Sequence, residues 1–257
     1  MNQRMQFLSK VSETLLIPLY IRAMESKKKN AMLKDPMAER LIEKIDYDFC
    51  SLDSYLDSGS CCIIRAKYYD SNILRSAQNY TSTVVVNVGC GLDTRHLRIP
   101  DEKITFYELD LPDVIEFRRK LMPEEDKRYQ ITKSMFDTTW LDTLRWRHGD
   151  SHFIFVFEGV LMYFTKEQVR FILNNIADRF PNGEIFFDMC NKASLKTNFG
   201  LLRNFKSRFK MALNSGHEIE FLVRKLRLKD QRQYINEIPI GSQNMDYWSL
   251  LQFNITQ

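Results

Sequence analysis

Gly89-Cys90-Gly91 follows directly on a β-branched run, Val84, Val85 and Val86. Glycines placed there allow a tight turn and let the backbone come close to a ligand. About twenty residues on, the stretch Ile104 to Leu109 ends among acids, Glu108 and Asp110. A carboxylate at such a strand end accepts hydrogen bonds from the vicinal hydroxyls of a ribose. A third acid, Glu158, follows five apolar residues, Phe153 to Phe157. Burying it without a partner would be costly, so it belongs at a pocket edge, where it can contact a cationic or hydroxylated ligand. In open α/β sheets ligands sit beyond the carboxyl ends of the strands. The three features together describe an enzyme that binds an adenosine-containing cofactor.

Each has a plainer reading. The glycines suit any tight turn, Asp110 or Asp113 can cap a helix at Pro112, and Glu158 can be a solvated loop acid. The turn also departs from the dinucleotide fingerprint GxGxxG, because Thr94 stands at the third glycine position. That counts against a nicotinamide enzyme and is tolerated where the ligand has no pyrophosphate, as in S-adenosylmethionine.

The surrounding elements agree with a nucleoside-binding core. A run of valines reads as a strand buried on both faces. Further strands are expected at Ile104–Leu109, Arg128–Lys133, Phe153–Phe157 and Glu184–Asp188. Helices are expected at Asp113–Leu121 and from the cap Thr165 to about Arg179, with Gln168 in capping-box spacing. Strand–helix alternation of this kind gives an α/β fold with a mostly parallel sheet. About eighty residues of helical pattern precede it, including Asp35-Pro36 as a helix opening. The expected organisation is an N-terminal helical cap over 1–79 and a Rossmann-like core over 80–257, with a helical insertion at about 192–216. Phe221–Leu228, Gln233–Ile240 and Tyr247–Ile255 read as closing strands, and the basic, aromatic Lys192–Lys210 segment as a lid.

The 257 residues carry a formal charge of +4, too mild to argue for nucleic acid. None of the five cysteines forms a CxxC pair, so neither zinc nor a disulfide framework is indicated. No apolar run reaches the roughly 18 residues that span a bilayer. A cytoplasmic protein is the expectation.

NVGCGLDTR, then YELDLP with Arg118-Arg119-Lys120 on the helix that follows, then FEGVLMYF, together resemble the leucine carboxyl methyltransferase-like family. These are class I S-adenosylmethionine-dependent O-methyltransferases, some acting on polyketide carboxyls. Leu19 to Ala23, Asp35-Pro36, Ile64 to Asp70 and, near the end, Tyr247-Trp248 are similar too. The resemblance implies S-adenosylmethionine as cofactor. It puts the family's cofactor arginine on Arg65, the glycine turn on Gly89 and Gly91, and the ribose acid on Asp110 with Glu108 beside it. It puts the adenine-flanking segment on Ser134-Met135, where relatives often have an acid in place of Ser134. The pocket-edge acid falls on Glu158 and a catalytic-site tyrosine on Tyr163. Arg22 is a weaker candidate of the same sort as Arg65.

The implied reaction is methyl transfer to oxygen. The expected acceptor is a small-molecule carboxylate or a protein C-terminal carboxylate. A carboxylate is ionised at neutral pH and needs no strong base. A phenol would need one, and none of the four histidines stands out as such. The alternatives are a nicotinamide-dependent oxidoreductase and a non-catalytic cofactor-binding protein of the same fold.

Overall fold

The structure is a computed structural model and describes residues 3–4, 14–56, 59–193, 209–234 and 248–257. A short parallel pair, β1 (Gln3–Arg4) with β2 (Ile45–Asp46), lies beside α1 (Leu16–Ser26) and α2 (Pro36–Lys44). Pro18 stands in the first turn of α1, where its missing N–H leaves no helix bond unmade. Asp35 caps α2 by accepting from the Ala38 N–H at 3.0 Å. The long helix α3 (Ser60–Ala77) then leads into the core.

The core alternates β3 (Thr83–Val88), α4 (Arg95–Arg98), β4 (Ile104–Asp110), α5 (Pro112–Leu121), β5 (Arg128–Thr132), α6 (Thr139–Arg147), β6 (His152–Phe157), α7 (Lys166–Arg179) and β7 (Glu184–Cys190). It closes with α8 (His217–Leu222), β8 (Leu226–Gln233) and β9 (Trp248–Ile255). The seven-stranded sheet runs β5-β4-β3-β6-β7-β9-β8. Strands β3 to β7 are mutually parallel, and β9 inserts antiparallel between β7 and β8. Strand order reverses between β3 and β6, which opens the crevice where α/β sheets take ligands.

Burial explains the strands. All six residues of β3 are buried. Val84, Val86 and Val88 share a cluster with Trp140, Phe155, Ile172 and Phe180, while Val85 joins Tyr69, Ile73 and Phe186 on the other face. Each such side chain withdrawn from water contributes about 1.5–3 kcal/mol, so the sheet is fixed from both faces. The N-terminal helices form their own cluster around Leu16, Leu41, Leu52 and Ile63, to which Leu92, Leu121 and Met122 of the core contribute.

The closing region differs from expectation in one place. Phe221–Leu228 reads as a strand, but α8 occupies its start and β8 begins only at Leu226. Ile219 and Val223, four residues apart, are both fully buried, whereas Phe221 is 88% exposed. That is helical spacing, not alternation. Most of Lys192–Lys210, and Gln233–Ile240 beyond Tyr234, lie outside the described residues.

Candidate functional site

The glycine turn leaves β3 with left-handed backbone at both glycines, φ +70° at Gly89 and +49° at Gly91. A Cβ on Gly89 would lie 2.7 Å from Cγ2 of Val160, in the loop after β6. Asp110, the last residue of β4, ties the turn down. Its Oδ2 accepts from the Gly91 N–H at 2.8 Å and its Oδ1 from the Leu111 N–H at 2.7 Å. Burial raises the Asp110 pKa despite those two donors. Each carboxylate oxygen keeps a second lone pair for a ligand hydroxyl.

Glu108 lies two residues back on the same face of β4 but inside the fold, 2% exposed. Asn87 Nδ2 donates to it at 3.0 Å, and His96 and Arg118 stand at 3.4 and 3.6 Å. Burial opposes its charge, but Arg118 and His96 outweigh burial and hold its pKa low. Glu108 thus braces β4 against α4 and α5, behind the position of Asp110.

On the other side of the crevice, Arg65 from the middle of α3 reaches two strand ends. Its Nε donates to Glu158 at 2.9 Å and its Nη1 to Asp188 at 3.3 Å. Its Nη2 has no hydrogen-bond partner among the described residues. The guanidinium lies against Gly159, where a Cβ would come within 3.0 Å of both terminal nitrogens. Asp188, near the end of β7, is fully buried and also accepts from the Gly159 N–H at 2.6 Å and the Tyr234 hydroxyl at 3.5 Å. Burial raises its pKa, against the pull of Arg65. The second oxygen of Glu158 is held by Arg95, itself fully buried.

Ser134 and Met135 follow β5 at the same edge of the sheet. Ser134 is half-exposed and its Oγ accepts from the Phe136 N–H at 3.3 Å. Met135 is buried in the cluster of Trp140, whose indole N–H donates to the Met135 carbonyl. Tyr163 ends a short 3-10 helix, Leu161–Tyr163, with its ring 5.3 Å from that of Phe209. Burial pushes its hydroxyl pKa well up. The structure therefore gathers Arg65, Gly89, Gly91, Asp110, Ser134, Met135, Glu158 and Tyr163 at the carboxyl ends of the parallel strands, and sets Glu108 beneath them.

The site rests on a chain of buried charges. Arg95 pairs with Asp70 and Asp93, both at 2.8 Å. Arg98 pairs with Asp70 at 2.7 Å, Asp93 at 2.9 Å and Asp35 at 3.3 Å. Asp35 pairs with Arg22 at 3.0 Å, and Arg22 Nη2 also donates to the Leu92 carbonyl. Removing one member of such a network leaves the others charged and uncompensated. Arg22 thus ties the N-terminal helices to the loop that follows the glycine turn. Arg95 and Asp188 escape a reading of the sequence by motif. Arg95 stands inside NVGCGLDTR without an assigned part, and Asp188 reads as a strand end. The available signal is an acid that interrupts the apolar run near the carboxyl end of the EIFFDMC strand.

All four histidines lie elsewhere. His96 sits under Glu108, His148 bonds Tyr107, His152 lies with Ser76 and Glu184 at the opposite end of the sheet, and His217 pairs with Glu220 on α8. Among the described residues no three histidine, cysteine, aspartate or glutamate side chains converge as a metal site, and no helix is long and apolar enough to cross a membrane.

The fold is that of class I methyltransferases. The fold is similar to magnesium protoporphyrin IX methyltransferase from Synechocystis PCC 6803 solved with S-adenosylhomocysteine (TM-score 0.53, 10% identity, 95% of this chain and 100% of that one). It is also similar to the N-methyltransferase NodS from Bradyrhizobium japonicum with the same ligand (TM-score 0.51, 14% identity, 87% and 100%). In sequence, residues 16–177 match the family model described as leucine carboxyl methyltransferase. The tetracenomycin polyketide synthesis O-methyltransferase TcmP of Streptomyces glaucescens is 31% identical over 228 residues, 87% of this chain and 83% of that protein. The S-adenosyl-L-methionine-dependent methyltransferase dpfgK of Gibberella zeae is 28% identical over 246 residues, 87% and 82%. The chain belongs to the leucine carboxyl methyltransferase family and is an S-adenosylmethionine-dependent methyltransferase. The nicotinamide alternative finds no support in these matches.

The residues present fit that cofactor. The left-handed glycines keep side chains out of the space above β3, Asp110 has lone pairs to spare, and the Nη2 edge of Arg65 is uncommitted among the described residues.

Proposed function

We propose that the enzyme methylates a carboxylate oxygen. The observation that carries this reading is the placement of the histidines, all four of which are bonded away from the Arg65–Glu158 crevice. The acids near Tyr163 are held by arginines, and its own phenol is kept protonated by burial. A carboxylate acceptor suits such a site, since it arrives ionised.

The bound cofactor supplies an electrophilic methyl group on a sulfonium. The chain's residues hold and orient. Asp110 accepts from the ribose hydroxyls, and the Gly89-Cys90-Gly91 backbone makes room beside them. Ser134 and Met135 flank the adenine. Arg65 offers its Nη2 edge to the amino-acid carboxylate, as a planar cationic donor, and Glu158 accepts from the ammonium. Tyr163 lines the acceptor side, where alignment and exclusion of water from the nucleophile supply the rate. The acceptor is a small molecule or a protein C-terminus, and the likeness to a polyketide O-methyltransferase favours the small molecule. The helices of 1–79 serve as a cap on the core.

The test is a panel of carboxylic acids and phenols with labelled cofactor, followed by mild alkali. A methyl ester releases methanol and an ether does not. Label that survives alkali, or transfer to phenols alone, overturns the reading. Glu158→Ala and Arg65→Ala should each weaken S-adenosylhomocysteine binding by about ten-fold or more, the cost of a charge-assisted bond. Unchanged calorimetric titrations for both would sink the site assignment.

A further inference from the structure

The guanidinium of Arg65 has a fixed number of directions in which it can donate, and two are already taken. Glu158 holds Nε at 2.9 Å and Asp188 holds Nη1 at 3.3 Å. The two acceptors come from different places, Glu158 just after β6 and Asp188 within β7, so together they set the plane of the group as well as its position. Gly159 lets the plane lie flat on the backbone, since a Cβ there would touch both Nη atoms at 3.0 Å. Nη2 is left without a hydrogen-bond partner among the described residues.

Asp188 is the more rigid of the two anchors. Its side chain is fully buried, whereas that of Glu158 is 9% exposed. Its second oxygen accepts from the Gly159 N–H at 2.6 Å. One carboxylate therefore fixes both the guanidinium and the loop on which it rests. A buried acid with this raised pKa, held against an arginine at a strand end, is a costly arrangement for structure alone.

We infer that Asp188 is a positioning residue that aims Nη2 of Arg65 at the carboxylate of the cofactor's amino-acid portion. The inference rests on the cofactor assignment to Arg65. Asp188 touches neither cofactor nor acceptor and acts through Arg65. An asparagine at this position keeps the shape but offers one acceptor oxygen. Its amide NH2 then faces either the Gly159 N–H or Arg65 Nη1, donor against donor.

Two ligands separate aiming from general damage. S-adenosylhomocysteine carries the amino-acid carboxylate, and 5′-methylthioadenosine has the same nucleoside without it. In calorimetric titrations, Asp188→Asn should weaken S-adenosylhomocysteine about ten-fold or more and leave 5′-methylthioadenosine within about two-fold. On an Arg65→Ala background the same substitution should add nothing further, because no guanidinium remains to aim. If Asp188→Asn does not fold, Tyr234→Phe removes only the outer donor to Oδ2 and should show the same selectivity at smaller scale. Equal weakening of both ligands, no weakening of either, or full additivity with Arg65→Ala overturns the inference. Wild-type protein that fails to bind S-adenosylhomocysteine would overturn the cofactor assignment to Arg65 instead.

Discussion

Glu184 opens β7 at the end of the sheet away from the cofactor crevice, and its carboxylate sits in a cage of donors. Ser76 of α3 and Gln252 of β9 bond to it, His152 stands at 3.3 Å, and Lys229 of β8 reaches it at 3.1 Å. Burial works against the charge, but these donors outweigh it and lower the pKa from 4.5 to about 2. At ~1.4 kcal/mol per pH unit, that depression is worth about 3 kcal/mol of folding stability. The sign follows from where the proton goes. Between the two pKa values the unfolded chain takes up a proton that the folded chain refuses, so the contribution is complete above about pH 5.5 and drains away as pH falls toward 2. By pH 3.5 about 1.4 kcal/mol of it is gone. Glu184→Gln removes this titration. Urea unfolding of both proteins at pH 6 and pH 3.5 should show the stability gap between them narrowing by about 1.4 kcal/mol at the lower pH. A gap that stays constant, or widens on acidification, refutes the assignment of the depressed pKa to this cage.

Gly89→Ala places a Cβ at φ +70° and 2.7 Å from Val160. It should destabilise the fold by about 1–3 kcal/mol and weaken S-adenosylhomocysteine more than its loss of stability explains. Denaturant titration beside calorimetry checks both, and a variant with wild-type affinity would refute the role of the turn. Thr165→Ala breaks the capping box of α7, in which Thr165 and Gln168 bond each other's backbone at 3.3 and 3.0 Å. It should cost about 1 kcal/mol, a fall in Tm of about 2–4 °C for a chain of this size, with cofactor affinity unchanged.

Periodicity made β3, β6 and α7 legible because burial alone decides them. Val84 to Val88 and Phe153 to Phe157 are buried throughout, and their shortness and β-branched or aromatic make-up mark them as strands rather than buried helix. Arg65 is a different case. Nothing in its helical neighbourhood distinguishes it from a surface arginine, and only likeness to a family picks it out. Its partners Glu158 and Asp188 lie 93 and 123 residues away, a separation that local patterns do not carry. The same holds for Arg95, which is read as part of a glycine motif yet holds Glu158 from behind. Glu108 and Asp110 look equivalent in sequence, since alternation puts both on one face. Depth separates them: the strand end leaves Asp110 at the crevice while Arg118 and His96 cover Glu108. Phe221 misleads because an aromatic among β-branched neighbours reads as strand, whereas the buried pair Ile219 and Val223 follows the helix repeat.

The buried charges that run from Arg22 through Asp35, Arg98, Asp70 and Arg95 to Glu158 bear on how the molecule can be recombined. Arg22 and Asp35 belong to the N-terminal helices, while Arg98, Arg95 and Glu158 belong to the core. A chimera that exchanges the first helices for those of another family member splits this set at its seam. It inherits Arg98 with Asp70 and Asp93 in place but Asp35 gone, unless the donor brings an acid to the same place. With Asp188 included as the second anchor of Arg65, crossover points that keep the whole set together fall after Asp188 or before Arg22, so residues 22–188 travel as one heritable block. Recombination libraries should return folded, cofactor-binding members mainly from crossovers outside that block.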